Sequence, residues 1–186
     1  MGQYYMVAFR HKGEPVILNA RKVEGEGYIG AKLMEHSWML NPLMMAVAAE
    51  MYKWPMRLLW CGDYAEDDEV RDATLGALGS NPWNMEEEPN HAFAKIDFDY
   101  SGKWLCNHSK KLAVDLDDYR RKADKDGWVI CPFSLLTALG NGRGGGDYHD
   151  THVNYDEVGT WAWDLISIED EKPGGYETYG VVFKED

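Results

Sequence analysis

The residues of this chain best suited to chemistry by type and spacing gather in one stretch, Gly140-Asn141-Gly142-Arg143-Gly144-Gly145-Gly146-Asp147-Tyr148-His149-Asp150-Thr151-His152. Five of its first seven residues are glycine. Each ordered glycine costs up to about 1 kcal/mol more chain entropy than alanine. Such a run is therefore flexible, or turns where side chains would clash, or approaches a ligand closely. Consecutive backbone N–H groups form nests for anions, and Arg143 stands among them. The ligand-binding set expected here is Asn141, Gly142, Arg143, Gly144, Gly145, Gly146, Asp147 and Tyr148, with Trp161 as a nearby aromatic.

Named motifs fit the stretch poorly. Gly140, Gly142 and Gly145 satisfy the bare dinucleotide spacing, but that fingerprint opens a helix, and residues 147–154 have no helical pattern. The lysine of a P-loop is absent. His149 and His152, interleaved with Asp147 and Asp150, offer imidazoles and hard oxygens to a divalent metal. His36 and His108 are the other histidine candidates. A polar turn with solvent-facing histidines is the plainer reading, and a histidine general base without metal is a further one. No cofactor is expected, and a divalent metal enters only if these histidines converge. Ser37 and Ser134 sit in no nucleophile elbow. Cys61, Cys106 and Cys131 each lie in apolar runs, as buried free thiols of a reducing compartment do. The acids Asp63, Glu66, Asp67, Asp68 and Glu69 miss the calcium-loop pattern and read as a solvated loop.

The chain has 186 residues, 45% apolar and 27% charged, which is ordinary globular usage for one domain spanning 1–186. Its net charge of −13 opposes direct nucleic-acid binding. No apolar run approaches the roughly 20 residues of a membrane-spanning helix, so no membrane partner is expected. The start carries neither a basic nor an apolar leader segment, and the expected location is cytoplasmic. Acid sits in two blocks: residues 61–99 carry two basic and eleven acidic groups, as do residues 147–186, for −9 each. Residues 1–60 carry seven and five, and residues 100–146 eight and five. Solvated loops explain such blocks most simply, and a surface imitating nucleic acid is the sharper alternative.

The elements that must position these residues are mostly strands. Segments 4–10 and 16–20 flank His11-Lys12-Gly13-Glu14 as a hairpin. Segments 104–107 and 111–116 form another, with Leu112, Val114 and Leu116 alternating against Lys111, Ala113 and Asp115. Residues 128–131 read as a short strand ending at Pro132, and 160–168 with 176–184 flank Pro173-Gly174-Gly175 as a third hairpin. Trp161 and Trp163 then share a strand face, as a core filler or a stacking platform. One main helix is expected at about 41–53. Asn41 caps it, Pro42 opens it, Met44, Val47, Ala48 and Met51 form its apolar face, and Trp54-Pro55 stops it. A weaker helix spans 67–78, closed by Gly79, and 81–90 reads as a surface loop. The fold class is α+β: a mostly antiparallel sheet with this helix on one face.

The opening Met1-Gly2-Gln3-Tyr4-Tyr5, Lys32 through Trp38, Trp60-Cys61-Gly62-Asp63-Tyr64-Ala65, Leu105 through Lys111, Gly140 through Tyr148 and Trp161-Ala162-Trp163-Asp164 together resemble a family of small bacterial and phage proteins. No activity is attached to that family. The resemblance implies a phage or bacterial cytoplasmic setting, assigns no catalytic residue, and groups Glu35, His36, Asn107 and His108 with the glycine loop. The function expected is a non-catalytic binding protein that recognises a host protein or small anionic ligand through residues 140–148 and nearby aromatics. A small histidine-dependent hydrolase, with or without metal, is the alternative. An acidic nucleic-acid mimic is the third reading.

Overall fold

The computed structural model describes residues 4–10, 17–27, 29–31, 36–84, 90–118, 131–138 and 157–180. The opening hairpin forms as expected: β1 (Tyr5–Arg10) pairs antiparallel with β2 (Ile17–Val23), Arg10 opposite Ile17. The helix α1 (Pro42–Lys53) follows, and the Asn41 side chain accepts from the backbone N–H groups of Leu43 and Met44 at 3.0 and 3.2 Å. Met44, Val47, Ala48 and Met51 are all buried, each of the larger ones contributing about 1.5–3 kcal/mol of burial. Then come β3 (Met56–Gly62), the short helix α2 (Asp67–Ala73), β4 (Asn90–Phe93), β5 (Trp104–Asn107), β6 (Leu112–Asp115), β7 (Leu165–Glu169) and β8 (Glu177–Thr178).

These strands form one sheet in the order β4-β2-β1-β3-β7-β5-β6-β8. Its interior pairs are antiparallel, and the two outermost strands, β4 and β8, join in parallel. The α+β class therefore holds. The cover is broader than one helix on one face. Val7, Leu58, Trp60, Leu105 and Ile166 pack under α1, whereas Ala8, Leu59 and Cys61 pack on the opposite side with Val70 of α2, Ala138 and Trp163. β6 shows the same thing, since Ala113 is as buried as Val114.

The expected third hairpin does not form. β7 inserts between β3 and β5, and the returning chain crosses β5 to lie beside β6. Residues 160–164 are turns rather than strand, with Trp163 in the left-handed region at φ 63°. That turn separates the two tryptophans, placing Trp161 in the core under α1 and Trp163 in the opposite layer.

α2 stops at Ala73 because Leu75 and Gly76 turn left-handed at φ 53° and 77°, ahead of Gly79. Its acids are mostly exposed, as expected, but Asp67, Asp68 and Glu69 lie on a helix rather than in a loop. The Glu66 and Glu69 side chains form a capping box, and Asp67 accepts from the backbone N–H of Asn81 at 2.7 Å. The segment expected as a surface loop from residue 81 begins inside the protein. Asn81 is 1% exposed and donates to the carbonyls of Gly62 and Ala65 at 3.1 and 2.8 Å. The same segment ends in β4. The strand expected at 128–131 lies outside the described residues except Cys131, which caps a 3-10 turn over Pro132–Leu136.

Candidate functional site

The sequence places its chemistry at 140–152. Those residues, including Asn141 through Tyr148, His149 and His152, lie outside the described residues, which stop at Ala138 and resume at Glu157. On the departing side, Thr137 forms a bridge with Trp60, and Ala138 N–H donates to the Trp60 carbonyl at 3.0 Å. On the returning side, Gly159 and Trp161 donate to Ser134 and Leu135 at 3.0 and 2.8 Å, and Trp163 donates to Leu58 at 3.0 Å. Arg57 of β3 closes the arrangement by donating to the Trp163 carbonyl at 2.7 Å. The described chain on either side of 139–156 is thus bonded to the 3-10 turn and to β3, an interior strand of the sheet.

A polar clasp grips the returning side from β5. Asn107, fully buried, donates from Nδ2 to Asp164 Oδ2 at 2.8 Å, and its Oδ1 accepts from the Lys110 N–H at 3.0 Å. Lys110 Nζ lies 2.9 Å from the same Asp164 oxygen and also donates to the Thr160 carbonyl. His108 N–H donates to the Leu165 carbonyl at 2.8 Å, and Leu165 N–H donates to Ser109 Oγ at 3.0 Å. The turn after β5 is therefore tied to residues 160–165 at five points. A buried asparagine at a strand end is stable only with such partners.

His108 itself stands in a hydrogen-bonded row on the sheet face away from α1. Its Nδ1 is 2.8 Å from Tyr176 Oη, and its Nε2 is 2.7 Å from Ser167 Oγ. Ser167 donates onward to Glu169 Oε1 at 2.6 Å. A carboxylate only accepts, so the Ser167 proton goes to Glu169, and Ser167 must accept from His108 Nε2–H. Nδ1 is then the bare nitrogen and accepts from the Tyr176 phenol. Burial lowers the His108 pKa from 6.5, against the opposing pull of Glu169, and keeps the ring neutral at pH 7.

The remaining candidates are held or covered. Cys61 and Cys131 are fully buried, and burial drives their thiols far above the ordinary value. Burial pushes Cys106 up to about 12. Ser134 is buried and donates to the Cys131 carbonyl. Trp161, 1% exposed, packs against Tyr179 with ring centroids 5.4 Å apart, so it is a core residue beside the loop's return and not an open stacking platform. The His36 side chain and Glu35 lie outside the described residues. Among the described residues, no three His, Cys, Asp or Glu side chains gather as a metal would need. None of the described helices is long and apolar enough to cross a membrane.

Sequence reasoning missed Ser167, Glu169 and Tyr176, and named Asp164 only within the block Trp161-Ala162-Trp163-Asp164. A lone serine between Ile166 and Ile168 in an apolar strand was the available signal. Compared with known proteins, the chain matches no family model, no curated protein and no solved structure.

Proposed function

We propose that this is a binding protein that recognises a small anionic ligand through residues 140–148. The observation that supports this reading is the double anchorage of 139–156. Binding loops work when a rigid scaffold holds their ends. Here the departing end is bonded to Trp60, and the returning end to Leu58, Ser134, Leu135 and the Asn107–Lys110 clasp. Glycine density leaves backbone N–H groups unobstructed, and Arg143 supplies the countercharge. Asp164, the carboxylate of the clasp, is paired with Lys110 at 2.9 Å. A phage or bacterial cytoplasmic setting belongs to the same reading.

Thermal denaturation with and without inorganic phosphate or citrate tests it. Stabilisation by the anion should be lost in Arg143→Ala while the unliganded melting temperature stays that of the wild type. Equal stabilisation of both proteins would remove the site from residues 140–148.

A further inference from the structure

The Tyr176–His108–Ser167–Glu169 row has the connectivity of a general-base assembly. A carboxylate fixes, through a serine, the proton on one imidazole nitrogen, which leaves the other nitrogen free to take a proton. The free nitrogen points at an O–H group 2.8 Å away, the distance at which a base meets the proton it abstracts. That O–H belongs to the strap that follows β7. The strap 170–179 leaves the end of β7, bends at Gly174-Gly175 with Gly175 at φ 80°, and lies over β5 and β6. Its only regular element is β8, two exposed residues long at the sheet edge. Glu177 and Tyr179 N–H donate to Lys111 and Ala113 at 3.0 and 2.8 Å, and Lys172 sits 5.8 Å over the Trp104 ring. The ends of the strap are held, Asp170 by Lys103 and Tyr52, and Tyr179 by Trp161, and between them short exposed edge elements are the parts of a protein that open first.

We propose that His108 is a general base held in reserve, and that the Tyr176 phenol occupies the place a water molecule takes when the strap lifts. In the open form His108 Nδ1 accepts a proton from water as the water oxygen adds to the carbonyl carbon of an ester. The ester C–O bond then breaks, the leaving oxygen departs with its electron pair, and the imidazolium passes its proton to that oxygen or to solvent. Ser167 and Glu169 act through His108 and are positioning residues. An uncharged acyl ester suits the site better than a phosphate ester. Lys110 is paired with Asp164, Lys172 lies against Trp104 and Thr178, and residues 147–186 carry −9. The titratable groups around the imidazole are Glu169 on β7, Cys106 on β5 and Tyr176 on the strap. This inference stands apart from anion binding at residues 140–148 and survives or fails without it.

The test compares wild type, Tyr176→Ala, Tyr176→Phe and the double variant Tyr176→Ala/His108→Gln in hydrolysis of p-nitrophenyl acetate. Peptide mapping of His108 carbethoxylation by diethyl pyrocarbonate runs alongside. Tyr176→Ala should hydrolyse the ester about ten-fold or more faster than wild type. Its rate should rise with pH as the imidazole loses its proton, and the double variant should return to the wild-type rate. Should Tyr176→Ala fail to fold, Tyr176→Phe decides, because it keeps the ring and frees Nδ1. Its His108 should be modified about ten-fold faster than in wild type. An unchanged ester rate in a folded Tyr176→Ala whose His108 is freely modified overturns the proposal. So does an unchanged modification rate in Tyr176→Phe.

Discussion

Replacing Asn107 by alanine removes the centre of the clasp that fixes the returning end of 139–156. Two bonds are lost: the 2.8 Å donation to Asp164 and the 3.0 Å acceptance from Lys110 N–H. A hydrogen bond to a charged group contributes about 1.5–3 kcal/mol and a neutral one about 0.5–1.5. Asn107 is fully buried, so water does not replace either partner inside the protein. The sum is a loss of about 2–4 kcal/mol, which for a domain of this size lowers the melting temperature by roughly 5–15 °C. Urea denaturation followed by tryptophan fluorescence measures it. Lys110→Ala is the internal comparison: its side chain is 43% exposed, and a solvent-screened ion pair contributes about 1 kcal/mol or less. Asn107→Asp should be worse than alanine at pH 7, since it sets a second carboxylate against Asp164, and should recover as the pH falls. A loss below about 0.5 kcal/mol for Asn107→Ala, or a larger loss for Lys110→Ala, would refute the reasoning.

Leu75 is 91% exposed and held left-handed at φ 53°, so Leu75→Gly should raise stability by about 0.5–1 kcal/mol in the same urea experiment. Asn41→Ala should cost about 1 kcal/mol and loosen the first turn of α1, visible as faster amide exchange at Leu43 and Met44. The folded chain refuses the His108 proton that the unfolded chain accepts near pH 6.5. Stability should therefore fall as pH drops through that value toward the lower folded pKa, and His108→Gln should flatten this part of the profile. In native protein all three thiols should resist a disulfide reagent at pH 8, and denaturant should release all of them.

Local chemistry was legible where it acted alone. The cap at Asn41, the proline at Pro42 and the stop at Trp54-Pro55 give α1 its observed limits; the first hairpin follows from two strand-like runs flanking a polar turn, and the second from the alternation over 111–116. β3 was not read as a strand because both its faces are buried. Met56-Arg57-Leu58-Leu59-Trp60-Cys61-Gly62 therefore carries almost no alternation. The third hairpin misled for a different reason. Pro173-Gly174-Gly175 is a true turn, but the edge of β7 was already taken by β3 and β5, and turn residues do not reveal which neighbours a strand will have. The same non-local pairing brings Ser167 and Tyr176 to His108 from 59 and 68 residues away. The clasp was half legible. Asn107 and His108 were grouped with the glycine loop by resemblance, and the bonds they make run to residues 160–165, on the chain that follows that loop.

Titrating 15N-labelled protein with inorganic phosphate, and following the backbone amides, tests the binding account most directly. The account predicts saturable shifts concentrated on the amides of residues 140–148, small shifts at the anchored ends around Ala138 and Trp161, and their loss in Arg143→Ala. Shifts spread over lysines elsewhere, or none at residues 140–148, would contradict it.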